Sequence, residues 1–322
     1  MIIPRRLLSL LALSSTLLAC SAMHAAAPVM IPLWPEGVPA PARTDVPAAK
    51  GPLGPEELGE GGRISNVSVP TLEVVRPAID RPNGTAVIIC PGGGYGLLSY
   101  EREGVQYANW LSHLGVTSFI LKSCLKEYGH PAPLQDVLRA VRLVRSRAAE
   151  FKIDPARIGV MGSSAGGHLA ASAGTLYDLP AGKTGAPLDA VSGRPDFLIL
   201  MYPVITTADP VAHVGSRENL VGKTASPELR ELASLEKQVT AQTPPTLLIH
   251  TQEDKSVPVE NSILFYQALT KAGVPAEMYL FEHGSHGMGM RDGLGTASEW
   301  PDRAAEWLKN RGLLTPASTS TK

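Results

Sequence analysis

Several things are scarce in this 322-residue chain, and each scarcity excludes something. Aromatic residues make up 5%, too few for a broad ring surface on which sugars or bases would stack. There are 3 cysteines, not the framework of a disulfide-stapled scaffold. Neither charge sign dominates: Lys+Arg is 29 and Asp+Glu is 30, a net −1. That balance gives no electrostatic reason to expect nucleic acid or an anionic membrane surface as partner. The apolar run Leu7–Ala19 is too short to cross a bilayer. No metal-ligand spacing stands out, since His283 and His286 lack a third ligand spaced nearby. No cofactor is expected.

What is present is a 44% hydrophobic chain, enough for one large packed domain. Arg5 and Arg6 precede the Leu7–Ala19 run, and Ala25-Ala26-Ala27 offers a cleavage point before Pro28, as in an export signal. A second reading competes. Leu17-Leu18-Ala19-Cys20 resembles a lipobox, in which Cys20 would carry a lipid anchor. Either way the protein is expected outside the cytoplasm: periplasmic, secreted or held at the outer membrane. The expected organisation is a signal peptide over 1–27, an extended Pro- and Gly-rich arm over 28–62, one domain over 63–313 and a flexible tail over 314–322. Cys90 and Cys124 then remain, as two buried thiols or a single bridge.

Ile64–Val75 alternates in part and suggests one or two edge strands. From Thr85 onward strands and helices alternate. Strands are expected at Ala86–Cys90, Val116–Leu121, Arg157–Met161, Phe197–Tyr202, Thr246–Thr251 and Glu277–Phe281. Helices are expected at Tyr100–Leu114, Pro133–Phe151, from Ala165, at Val259–Ala272 and at Ser298–Lys309. This pattern predicts an α/β fold, a mostly parallel sheet with helices on both faces. Residues 204–245 are long for one crossover and read as an insertion after strand 6, with a short helix near Glu228–Val239, roofing the site. Arg139, Arg142, Arg145 and Arg147 read as a solvated or salt-bridged helix flank.

Gly162-Ser163-Ser164-Ala165-Gly166 fits G-x-S-x-G and lies between a strand and a helix, as a nucleophile elbow requires. The pattern selects Ser164; Ser163 is excluded because Met161 stands where a glycine should be. A serine hydroxyl needs a base. In α/β-hydrolases the order along the chain is serine, acid, histidine, with the histidine after the last strand. His283 and His286 both lie there, and His286, in Gly284-Ser285-His286-Gly287, is favoured. The acid should follow the preceding strand: Asp254, with Glu253 as the alternative. His168, on the elbow helix, reads as a core histidine with its hydrogen bonds satisfied. Pro91-Gly92-Gly93-Gly94-Tyr95 follows the first buried strand, where an oxyanion loop would lie. Ala165 N–H and that of Gly93 or Gly94 are the expected donors. A plain glycine-rich turn is the alternative; a phosphate loop is excluded because no G-K-[ST] follows. Tyr95, Tyr100 and Glu101 are the candidates for a substrate pocket.

These motifs, together with Ile31–Pro35, Glu103-Gly104, His130–Asp136, Ile153-Asp154-Pro155, Ser234–Thr240, Val257-Pro258 and Ser285-His286-Gly287, make the chain resemble bacterial α/β-hydrolases of the acetylxylan-esterase-like and feruloyl-esterase-like family. The resemblance runs from about Ile31 to Leu313. It implies a carboxylesterase that acts on acetylated plant polysaccharide or its fragments, with Ser164, Asp254 and His286 as triad. One departure is Lys122-Ser123-Cys124-Leu125, where relatives commonly carry Tyr-Arg. Two other readings remain: a catalytically inactive hydrolase fold that only binds, and a prolyl-oligopeptidase-like peptidase, for which no upstream propeller is present.

Overall fold

A computed structural model describes residues 28–39, 55–79 and 82–316. The expected export segment with Cys20, part of the arm and the end of the tail lie outside the described residues.

The chain begins with β1 (Val29–Pro32), a small ribbon of β2 (Glu57–Gly59) and β3 (Arg63–Ser65), and β4 (Thr71–Val75). There follow β5 (Ala86–Cys90), α1 (Gln106–His113), β6 (Thr117–Lys122), α2 (Ala132–Ser146) and α3 (Ala148–Phe151). Next are β7 (Ile158–Ser163), α4 (Ala165–Thr175), β8 (Phe197–Met201), α5 (Val214–Val221) and α6 (Pro227–Leu232). The chain closes with β9 (Thr246–Thr251), α7 (Glu260–Lys271), β10 (Ala276–Phe281) and α8 (Trp300–Asn310).

Among the described residues eight strands form one sheet in the order β1-β4-β6-β5-β7-β8-β9-β10. β4 runs antiparallel to β1 and β6, and the remaining pairs are parallel. This is the α/β-hydrolase fold. The reason lies in strands such as β5, where every residue is buried. Its pleat sends Ala86, Ile88 and Cys90 into the core layer that contains α2, α4 and α7 side chains, and Val87 and Ile89 into the layer with α1 and α8. A strand buried on both faces needs apolar residues at every position, and this one has them.

Within the arm, Val29–Pro32 pairs with β4 as a strand. The structure corrects three expectations. Ile64–Val75 does not supply the sheet edge: β3 belongs to the separate ribbon, and β4 is covered by β1. The segment expected as one helix over Tyr100–Leu114 opens with a π-helical turn, Tyr100–Val105. The insertion holds two helices, not one. α6 starts close to the expected position, whereas α5 lacks an apolar stripe, burying only Ser216, Leu220 and Val221. Cys90 and Cys124 are buried free thiols. The arginine flank of α2 is salt-bridged, through Arg139–Glu36, Arg142–Asp189, Arg145–Asp196 and Arg147–Glu150.

β5 and β7 are neighbours, as are β9 and β10. The glycine-rich loop, the elbow, Asp254 and His286 all follow the carboxyl ends of these strands. That is the crevice where open α/β sheets bind ligands.

Candidate active site

Ser164 sits at φ 55, ψ −122, between β7 and α4. That left-handed geometry is rare for a residue with a side chain and marks a strained turn. It survives because the flanking glycines allow two backbones to touch. A β-carbon on Gly162 would stand 2.0 Å from the Gly166 carbonyl oxygen; one on Gly166 would stand 2.0 Å from that of Cys90. Ser164 N–H donates to Met201 O at 3.0 Å, which ties the turn to β8.

His286 Nε2 lies 2.9 Å from Ser164 Oγ, and its Nδ1 lies 2.6 Å from Asp254 Oδ2. Asp254 is wholly buried at its side chain, whereas the His286 ring is 23% exposed. The other Asp254 oxygen accepts the N–H groups of Ser256 and Val257, both at 2.9 Å. Burial works against ionisation of Asp254, but hydrogen bonds from His250 and His286 outweigh it and hold the carboxyl well below the usual range. A carboxylate so held keeps a proton on Nδ1 and leaves Nε2 free to accept one from the serine.

The alternatives pair with each other at the surface. His283 Nδ1 lies 3.1 Å from Glu253 Oε1, and Gly284 N–H donates to Glu253 Oε2 at 3.3 Å. His168 is buried, with Nδ1 accepting from Tyr95 OH at 2.9 Å and Nε2 donating to Ala233 O at 2.9 Å. Burial pushes its pKa down to about 4.

The glycine-rich loop packs on the elbow. Gly93 has φ +131, and a β-carbon there would meet Leu97 O at 2.1 Å, so only glycine fits. Asn219 of α5 donates to Gly94 O at 2.8 Å, so the roof holds the loop from above. Among the described residues, the N–H groups of Gly93, Gly94 and Ala165 have no protein acceptor. Donors left open beside a serine are what a developing oxyanion requires.

Of the three residues expected in a substrate pocket, Tyr95 lines a small hollow beside Ala165 together with Leu97, Leu98, Ser123, Leu125 and Leu169. Tyr95 is buried with its hydroxyl on His168, and Tyr100 donates to Glu73 at 2.8 Å. Glu101 is exposed and packs beside Gly62. Both phenol groups are thus engaged inside the protein. Sequence reasoning missed Glu103, Tyr107, Tyr202 and His250, all buried around the site. One signal existed: Glu103-Gly104 is among the motifs that carry the family resemblance, although it gave Glu103 no role.

Fold and site together are those of the α/β-hydrolase class. The BD-FAE family model matches residues 72–269, and the chain belongs to that family. It is similar to an acetylxylan esterase of Xylanibacter ruminicola, 34% identical over 239 residues, covering 72% of this chain and 46% of the relative. It is also similar to endo-1,4-beta-xylanase B of Butyrivibrio fibrisolvens, 38% identical over 206 residues, covering 63% and 32%. This chain therefore spans less than half the length of either curated relative. A solved structure, an acetyl ester-xyloside bifunctional hydrolase from Caldicellulosiruptor lactoaceticus, superposes with TM-score 0.74 at 40% identity, covering 88% of this chain and 97% of that one.

Proposed function

We propose that the protein is an exported serine carboxylesterase that removes short acyl groups, acetyl foremost, from xylan fragments or related plant polysaccharide. Ser164 attacks the ester carbonyl while His286 takes its proton. Ala165 N–H and the Gly93 or Gly94 N–H stabilise the oxyanion. His286 then protonates the leaving alcohol, and water, activated by the same ring, hydrolyses the acyl-serine. Asp254 fixes the ring and stabilises the imidazolium.

The observation that carries this reading is the contact of one imidazole with both Ser164 Oγ, at 2.9 Å, and Asp254 Oδ2, at 2.6 Å. The hollow beside Ala165, bounded by Tyr95, Leu97, Leu98, Ser123, Leu125 and Leu169, is small, which is compatible with a short acyl group. The sugar alcohol is supported by the similarity to an acetylxylan esterase and an acetyl ester-xyloside bifunctional hydrolase. Export is supported by the N-terminal segment, and cell fractionation with N-terminal sequencing tests it.

Release of acetate from acetylated xylo-oligosaccharides tests the substrate. The expected result is acetate release abolished by Ser164→Ala. Hydrolysis of p-nitrophenyl esters with no acetate released from sugar would count against the xylan assignment while leaving the esterase.

A further inference from the structure

Beneath the serine lies a buried chain of hydrogen bonds that the proposed chemistry does not use. It starts at Ser163, the residue before the nucleophile, whose Oγ donates to Tyr107 OH at 3.1 Å. Tyr107 OH lies 3.0 Å from Tyr202 OH, and Tyr202 OH donates to Glu103 Oε1 at 2.9 Å. The other Glu103 oxygen accepts Gly92 N–H at 2.8 Å. Tyr202 OH also receives Gly289 N–H at 3.3 Å, three residues beyond His286.

The proton directions follow from the donors. Ser163 and Tyr202 both donate, so the Tyr107 proton must point to Tyr202. Every hydroxyl then donates toward Glu103, and both carboxyl oxygens accept. A backbone N–H fixes one of those acceptors absolutely. A carboxylate, 4% exposed, can accept both of these hydrogen bonds. Burial raises the Glu103 carboxyl above its ordinary value, and the Gly92 and Tyr202 bonds offset this only in part.

Three loops join this network: the glycine loop bonds Glu103 directly through Gly92, the elbow reaches it from Ser163 through Tyr107 and Tyr202, and the histidine loop from Gly289 through Tyr202. The approach is close. A β-carbon on Gly92 would stand 2.6 Å from Glu103 Oε2, 2.6 Å from Ser163 O and 3.0 Å from Ser164 Cβ. The Tyr202 ring stands edge-on to the His286 ring, with centroids 5.1 Å apart.

We infer that Glu103 is a positioning residue, a buried anion that locks the three loops of the site in register and holds a second negative charge behind the imidazolium formed on His286. The inference rests on the proposed serine mechanism. Its electrostatic part is set among few groups. Asp254 and His250 approach from β9 and its loop, and His213 from the roof. Arg102 comes from the π-helical turn, with Tyr107 and Tyr202 between.

Glu103→Gln separates charge from shape. The amide oxygen still accepts Gly92 N–H, and the amide nitrogen donates to Tyr202 once the hydroxyl chain reverses. The fold is therefore retained while the charge is lost. Kinetics on p-nitrophenyl acetate should show kcat down about tenfold or more with KM little changed, the loss expected for a misplaced or less stabilised reacting group. The acid limb of kcat/KM, which rises as the base loses its proton, should move to lower pH. An unaltered kcat and pH profile in folded Glu103→Gln would overturn the inference. Should that variant not fold, Tyr202→Phe is read instead: it removes the oxygen that joins Glu103 to Gly289, and wild-type kcat there would equally overturn it. A wild type that hydrolyses no ester would instead defeat the proposed function itself.

Discussion

His286 and His250 approach the same oxygen of Asp254, at 2.6 and 3.3 Å. His250 is wholly buried on β9; its Nδ1 lies 2.8 Å from Ser262 Oγ and its Nε2 also reaches Val257 O at 3.1 Å. The Nε2 proton is therefore shared between that carbonyl and Asp254. Asp254 is thus held by two imidazoles and two backbone N–H groups. Asp254→Asn should keep the fold but destroy the preference for the Nδ1–H tautomer of His286. The expected loss of kcat is about 10⁴-fold, measured on p-nitrophenyl acetate beside a circular-dichroism melt.

His250→Phe removes one hydrogen bond from a buried carboxylate and leaves Ser262 without its partner. Loss of a hydrogen bond to a charged group predicts about 1.5–3 kcal/mol of lost stability, read by urea unfolding. Its activity should fall far less than that of Asp254→Asn, since the His286 contact remains.

The elbow makes a sharper steric prediction. Gly162→Ala or Gly166→Ala would force a β-carbon to 2.0 Å from a backbone carbonyl oxygen, which no side-chain rotation relieves. Either should yield insoluble or inactive protein. Gly215→Ala, inside α5, meets nothing nearer than 3.5 Å and should stabilise by about 0.5–1 kcal/mol. A melting-temperature series over the three variants checks this.

His168 predicts a pH effect. Its pKa is about 4 in the folded protein against 6.5 for the free side chain, so between those values the unfolded chain binds the extra proton. Stability from this group is full above pH 6.5 and falls as pH drops toward 4, by about 3 kcal/mol in total. Asp136 acts oppositely. Burial raises its carboxyl to about 6 despite bonds from the Cys124 N–H and Trp34, so its contribution weakens as pH rises through the same range. The difference between wild type and His168→Gln, by urea unfolding across that range, isolates the histidine. A gap that does not narrow on acidification would contradict the buried neutral state.

Much of this was legible in the sequence, for identifiable reasons. Ala86–Cys90 could only be a strand buried on both faces, and Gly162–Gly166 carries its steric requirement in its glycines. Chain order narrowed the base to His283 or His286 and the acid to Glu253 or Asp254, and the structure brings His286 to Ser164 and Asp254 to His286. Other features left no local trace. Val29–Pro32 is a strand only because β4 offers it an edge, and α5 is a helix capped by its own His213 side chain and seated on the oxyanion loop through Asn219. Tyr95 and Tyr100 were placed by nearness in sequence to the glycine loop, yet their hydroxyls turn to His168 and Glu73. Glu103 was hidden because a π-helical turn interrupts the period that would have marked its face as buried.

The most direct measurement is covalent labelling by a fluorophosphonate probe, read by intact-protein mass, in wild type and in Ser164→Ala. The account predicts one adduct on the wild type, at Ser164, lost in the variant together with ester hydrolysis. An unlabelled, folded wild type, or a Ser164→Ala variant that still cleaves esters at the wild-type rate, would contradict it.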